Sequence, residues 1–266
     1  MLLTLNRMGR GRFVLYGTGA LVSSFLLLPI VFIGLLSFGS SQWLKFPPPG
    51  WTLKWYEDFL ADPRWIAAIL TSLKVGAIVM ALSVAIGLPA SFAIVRGRFP
   101  GRAVLRAFFV SPMIVPVVII AIAFYGVALN LRLNGTLLGL ICGHLILALP
   151  FSIICITTAL EGFDESIEKA AIICGASPLK AIYRITLPSI KMGVFAGALF
   201  SFLTSWDDVV VSIFMSSPSL QTLPVKMWVT LRLDLSPVIA AASTLLIVIT
   251  IIVMALAAAL RRSSAR

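Results

Sequence analysis

The chain has 266 residues, 60% of them hydrophobic and 12% charged, with a formal net charge of +11 and a mean hydropathy of +1.06. Ordinary soluble domains are about 25% charged, so this composition excludes a chain whose main solvent is water and predicts a single all-α domain solvated by lipid. The three cysteines, Cys142, Cys155 and Cys174, do not form a disulfide framework, and the lone His144 cannot build a histidine-rich metal site.

About six segments are apolar for long enough to cross some 30 Å of hydrocarbon as helix. They cover residues 13–38, 66–95, 107–129, 137–160, 192–215 and 237–260. The first is too long for a signal-peptide core and is not closed by a small-residue cleavage site, so it reads as a mature helix. The loop over 39–65 opens with Pro47, Pro48, Pro49 and Gly50 and predicts a short interfacial helix. Leu53, Tyr56, Phe59 and Leu60 would share one side of it, and Trp51, Trp55 and Trp65 suit the headgroup layer. Pro29, Pro89, Pro112, Pro116 and Pro150 lie inside spans and predict kinks. Gly135, Gly139 and Gly143, and Gly193 with Gly197, recur at four-residue spacing, which predicts close helix contacts.

Charge sets the orientation. With an even number of crossings both termini share a side, which carries Arg7, Arg10, Arg12, Arg96, Arg98, Arg102 and Arg106, then Lys169, Lys180, Arg184, Lys191, Arg261, Arg262 and Arg266. The other side has fewer basic residues, partly offset by Glu57, Asp58, Asp62 and Asp234. The positive-inside rule therefore places both ends in the cytoplasm. The same distribution accounts for the net charge, and no nucleic acid is implied.

The segment over 161–191 is the one long connection on that side. Its punctuation predicts two short helices: one over about 166–174 that ends at Gly175, and a second capped by Ser177 with Pro178 at its first position. Pro188 marks the expected stop. Leu179, Ile182, Tyr183 and Thr186 should share a face, with Lys180 and Arg184 turned elsewhere. An elbow of this kind, apolar on one side and basic on another, is a shape for docking into a groove on a partner protein.

Lys169-Ala170-Ala171, three residues, Gly175, nine residues, Ile185, one residue and Leu187-Pro188 resemble the EAA loop of ABC importer permeases, whose pattern is E-A-A, three, G, nine, I-x-L-P. One position departs: Lys169 stands where that family usually has Glu, directly after Glu168. The resemblance implies a type I-like permease fold in a bacterial cytoplasmic (inner) membrane. It also implies a coupling helix over Ala170 to Leu187, flanked by Glu168 and including Ala176, that sits in a cleft of a separate ATPase. No Gly-Lys pair occurs in the chain, so the phosphate-cradling G-x-x-x-x-G-K-[ST] loop is absent. ATP and Mg are accordingly expected on that partner, with no cofactor, metal or catalytic residue on this chain. The resemblance further implies a second, homologous permease subunit, two ATPase subunits and a periplasmic or extracellular substrate-binding protein.

The fifth segment carries Trp206, Asp207 and Asp208, and adjacent carboxylates in a membrane span are costly unless they face water, protein or a cation. They should face the interior, roughly 22 to 24 Å from the span's cytoplasmic end. A cationic solute would be attracted there, and Trp206, Trp228 and Tyr125 could offer aromatic faces to ammonium groups. Two other roles remain: the carboxylates could hold a gate or the partner subunit by hydrogen bonds, and the aromatics could be packing or interface anchors. The segments SFLTSWDDVVVSIFMSSP and FPPPGWTLKWYEDFL resemble spermidine/putrescine permeases, which implies polyamine as the solute. The alternatives are an ABC permease for a different small solute, or a secondary transporter coupled to protons or sodium through Asp207 and Asp208. His144, in the fourth segment, is expected to make an interhelical hydrogen bond.

Overall fold

The computed structural model describes the backbone of residues 11–233 and 236–264, with side chains for 13–233, 236–252, 254 and 255. Arg7, Arg10, Arg12, Asp234, Arg261, Arg262 and Arg266 lie outside the described side chains, as does the end of the sixth expected span. Contacts divide the chain into two units, one containing the segments up to Asp62 and Val229–Leu256, the other containing Pro63–Trp228 and the segment from Ala257.

In the first unit, α1 (Gly11–Leu36) is long and apolar enough to cross a membrane and leaves nearly every side chain exposed. An apolar exterior of this kind requires lipid or another apolar surface around it. The following loop folds back on itself: Ser40 N–H donates to the Gly50 carbonyl at 3.0 Å and Thr52 N–H to the Phe38 carbonyl at 2.8 Å. The short helix expected there is α2 (Lys54–Ala61), but its faces differ from the expectation. Trp55 and Phe59 are buried while Leu53 and Leu60 are exposed. The Trp55 indole donates to the Gly39 carbonyl at 2.6 Å, and Tyr56 hydroxyl lies 2.6 Å from Ser37 Oγ. Aromatics with a polar tip go inside when that tip finds a partner, so Trp55 anchors the loop from within.

The second unit is built on three mutually packed helices, α3 (Pro63–Arg96), α6 (Leu137–Glu161) and α10 (Lys191–Trp206). Small residues allow the close approach. A Cβ placed on Gly193 would lie 2.2 Å from the Ala159 Cβ, and one on Gly197 would lie 3.0 Å from the Ser152 Cα. Gly193→Ala should therefore cost roughly 1 to 3 kcal/mol, read as a lower unfolding midpoint in detergent. Gly17→Ala, where nothing lies within 4 Å, should cost nothing; equal midpoints for the two variants would rule out the close packing.

Two expected spans are not continuous. The third is replaced by α4 (Arg102–Val110), a 3-10 turn over Ser111–Met113, and α5 (Val117–Asn130), with a bend of 102° between the two parts. Pro112 and Pro116 both fall in this break; each lacks a donor and disfavours helical geometry in the residue before it. Pro29, Pro89 and Pro150, by contrast, lie singly inside continuous helices. The fifth span breaks after Trp206 and resumes as α11 (Val210–Met215). A core of Val75, Val79, Ala121, Leu140, Val211 and Met215 joins α3, α5, α6 and α11. The chain ends in α12 (Leu223–Leu233) and α13 (Pro237–Ser264).

Candidate functional site: the elbow and the broken fifth span

Residues 161–191 fold as the expected elbow. Asp164 caps α7 (Glu165–Ile173), accepting from Ser166 N–H at 2.9 Å, and this bond, helped by the Ser166 hydroxyl, holds its carboxyl below the usual range. The helix closes with paired bonds, Gly175 N–H to the Ile172 carbonyl at 2.9 Å and Ala176 N–H to the Ala171 carbonyl at 3.0 Å. That closure needs a left-handed residue, and Gly175 supplies it at φ +94°. Ser177 then accepts from Lys180 N–H at 3.4 Å, with Pro178 opening α8 (Pro178–Ala181).

The second arm departs from the sequence expectation. Residues Ile182–Thr186 wind as a π-helix into α9 (Leu187–Ser189), so Pro188 does not end the helix; the chain turns at Ile190 into α10 instead. The wider turn rotates Thr186 inward, where it is fully buried, while Leu179 and Tyr183 stay exposed beside Lys180 and Arg184. The four residues expected on one face are thus split. Ile185 and Leu187 are half-buried, and Leu187 packs near Leu160 and Ile190.

Glu168 points inward. Its carboxylate lies 2.5 Å from Arg96 at the end of α3 and accepts from the Thr186 hydroxyl. Both charged side chains are largely enclosed, 16% exposed for Arg96 and 14% for Glu168, and the guanidinium lies over the rings of Phe92 and Phe163 at 5.1 and 5.8 Å. Burial opposes the Glu168 charge, but the Thr186 hydroxyl and Arg96 outweigh it and hold the carboxyl below its ordinary value. One carboxylate therefore ties the second span to both arms of the elbow. Lys169 faces outward and pairs with Glu165, at 3.4 Å. Ala170, Gly175, Ser177, Pro178 and Pro188 are exposed, Ala171 and Ala176 half-exposed.

At the break in the fifth span the two carboxylates part. Asp207 is exposed, whereas Asp208 is buried and accepts from Ser212 N–H at 2.9 Å and Val211 N–H at 3.5 Å. A carboxyl side chain that accepts from the first donors of α11 favours a helix start there over a continuous span. His144 meets its expectation of an interhelical bond twice, with Nδ1 at 2.7 Å from Ser205 Oγ and Nε2 at 2.8 Å from Ser212 Oγ. Its Nε2 also lies 3.6 Å from Asp208, so α6, α10 and α11 meet at one buried polar node. Trp206 is buried and stacked on Phe202 with centroids 5.8 Å apart, and Tyr125 packs against Phe214 at 5.9 Å. Both rings are packed against phenylalanines, Trp206 Nε1 is buried with no hydrogen-bond partner among the described residues, and Trp228 lies partly exposed on α12.

Residues 83–266 match the family described as binding-protein-dependent transport system inner membrane component. The chain is 30% identical over 225 residues to the putrescine transport system permease protein PotI of Escherichia coli (strain K12), covering 82% of this chain and 80% of that protein. It is 29% identical over 231 residues to the spermidine/putrescine transport system permease protein PotC of the same organism, covering 87% of each. Among solved structures, a bacterial ABC transporter that imports the acidic polysaccharide alginate matches with a TM-score of 0.71 at 18% identity, over 99% of this chain and 98% of that one. The MetNI methionine ABC transporter, in an inward-facing conformation, matches with a TM-score of 0.65 at 15% identity, over 76% of this chain and 96% of that one. With its apolar spans and its elbow, the chain belongs to the family of binding-protein-dependent transport system inner membrane components, as a multi-pass permease subunit of an ABC importer.

Proposed function

We propose that this permease carries polyamines inward by alternating access, powered by ATP hydrolysis on separate subunits. The observation that carries the solute assignment is the similarity to putrescine and spermidine permeases along most of the chain. Asp207 supports it: an exposed carboxylate at a break in a membrane span, with no ion pair among the described residues, suits an ammonium group in transit. Asp208 acts differently, holding the break open by capping α11.

In this reading the elbow and both termini are cytoplasmic. Exposed Ile173, Leu179 and Tyr183, with Lys180 and Arg184, enter a cleft of the ATPase, which supplies ATP and Mg. Two permeases, two ATPases and an external substrate-binding protein complete the assembly. ATPase closure moves the elbow, and Glu168 passes that motion to the second span through Arg96.

The test is polyamine uptake by Asp207→Asn in the assembled transporter. We expect uptake at low polyamine concentration to fall about fivefold, in line with up to about 1 kcal/mol for one exposed charge contact, with the ATPase still co-purifying. Unchanged affinity and rate would remove the proposed attraction, and a permease isolated without any ATPase would remove the coupling.

A further inference from the structure

Beside the tie between the second span and the elbow lies a cavity of about 240 Å³, lined by Arg96, Arg98, Arg102, Lys169, Glu165 and Glu168 with Val95. Its carboxylates are already engaged. Glu168 is taken up by Arg96 and Thr186, and Glu165 lies between Lys169 at 3.4 Å and Arg96 Nε at 3.9 Å. Arg98 and Arg102 have no carboxylate partner among the described residues; Arg102 only donates to the Gly97 carbonyl, at 3.4 Å. The cavity thus presents two uncompensated guanidinium groups, planar forks suited to the oxygens of a phosphate.

The position of α4 gives this cavity a level in the membrane. Because α4 and the turn after it meet α5 at 102°, an α5 that runs along the bilayer normal lays α4 along the bilayer surface. Its composition fits that placement: Val104 and Phe108 are 72% and 69% exposed, while Arg106 turns to Glu161 at 3.3 Å. A helix with apolar residues toward the acyl chains and arginines at its polar side lies at headgroup depth, and Arg102 is its first residue.

We propose that this cavity is a binding site for an anionic phospholipid, with its headgroup phosphate held by Arg98 and Arg102 and its acyl chains along Val104 and Phe108. The site is separate from the solute path and from Ile173, Leu179 and Tyr183 of the elbow, and it shares Glu165 and Lys169 with the elbow's first helix. Its floor is the Arg96–Glu168 pair, so the lipid rests against the connection that joins the second span to the elbow.

The experiment uses the assembled transporter in vesicles of phosphatidylcholine, with or without phosphatidylglycerol, and weighs retained lipid by native mass spectrometry after mild extraction. The intact protein should retain phosphatidylglycerol in preference to phosphatidylcholine. The Arg98→Gln, Arg102→Gln double variant should bind it about thirtyfold more weakly, as two basic side chains near a membrane surface imply, and the double lysine variant should stay within about threefold. Equal retention of the two lipids by the intact protein, or of phosphatidylglycerol by the glutamine variant, overturns the site. Inorganic phosphate, titrated at constant ionic strength, separates the two sources of this chemistry: weak displacement of the lipid supports a lipid site, and tighter binding of free phosphate than of lipid overturns it. Should the glutamine variant fail to fold, a photoreactive phosphatidylglycerol on the intact protein decides. Adducts concentrated over residues 98–110 support the site, and adducts spread evenly over the other loops overturn it.

Discussion

Glu168→Ala should lower the unfolding free energy of the permease by about 3 kcal/mol, the low end of the range for removing one partner of a buried ion pair. The low end applies because both side chains keep some contact with water. Arg96 would be left enclosed between two phenyl rings without its carboxylate, and Thr186 would lose its acceptor. Denaturant unfolding in detergent measures the loss. Glu168→Gln should cost less, since an amide oxygen still accepts from Arg96. In the assembled transporter we expect the alanine variant to hydrolyse ATP while solute uptake falls at least about tenfold. Normal uptake per ATP would show that the tie does not transmit motion.

The same pair has a pH signature. Because the Glu168 carboxyl titrates below its ordinary value of 4.5 in the folded chain, its contribution is fully present above that value and is lost as pH falls through the lower folded value. Acid unfolding of Glu168→Gln should accordingly be less steep below about pH 4.5 than that of the unaltered protein. Parallel curves would mean that Glu168 is not held as a charged partner.

The second large effect is expected at His144. Replacing it with leucine keeps the volume but strips partners from the Ser205 and Ser212 hydroxyls and removes the polar neighbour of buried Asp208. Each stranded polar group costs about 1 to 3 kcal/mol, so a total near 3 kcal/mol is expected, read as a lower unfolding midpoint. A midpoint within a degree of the unaltered protein would show that the node adds nothing to stability. His144→Gln, which can still reach one hydroxyl, should recover part of the loss.

Local punctuation made the elbow legible. Gly175 can follow a helix at positive φ, and Ser177-Pro178 can open one, whatever packs around them, so those boundaries were readable within a residue or two. The tertiary pairings were not. His144 meets partners 61 and 68 residues away, and Arg96 meets Glu168 across 72; nothing in local composition links them. Breaks in the spans fall between these cases. Single prolines are absorbed inside three helices, and the four-residue separation of Pro112 and Pro116 distinguishes the proline site that yields. Asp208 after an apolar run reads equally as a membrane carboxylate or as a helix cap, and its contact with the Ser212 amide decides for the cap. Regular α-helical spacing puts Leu179, Ile182, Tyr183 and Thr186 on one face, and the wider winding over Ile182–Thr186 splits them.

That wider winding acts as a phase shifter. A regular α-helix advances about 100° per residue, so one additional residue in the Ile182–Thr186 turn rotates everything after it relative to what precedes it. The outward residues Leu179 and Tyr183 and the inward Thr186 can then belong to one rod while facing away from the permease and into its own interior. Length variation of a single residue in this stretch is consequently not neutral padding: it would leave composition almost untouched and still detach the inner anchor from the outer contact.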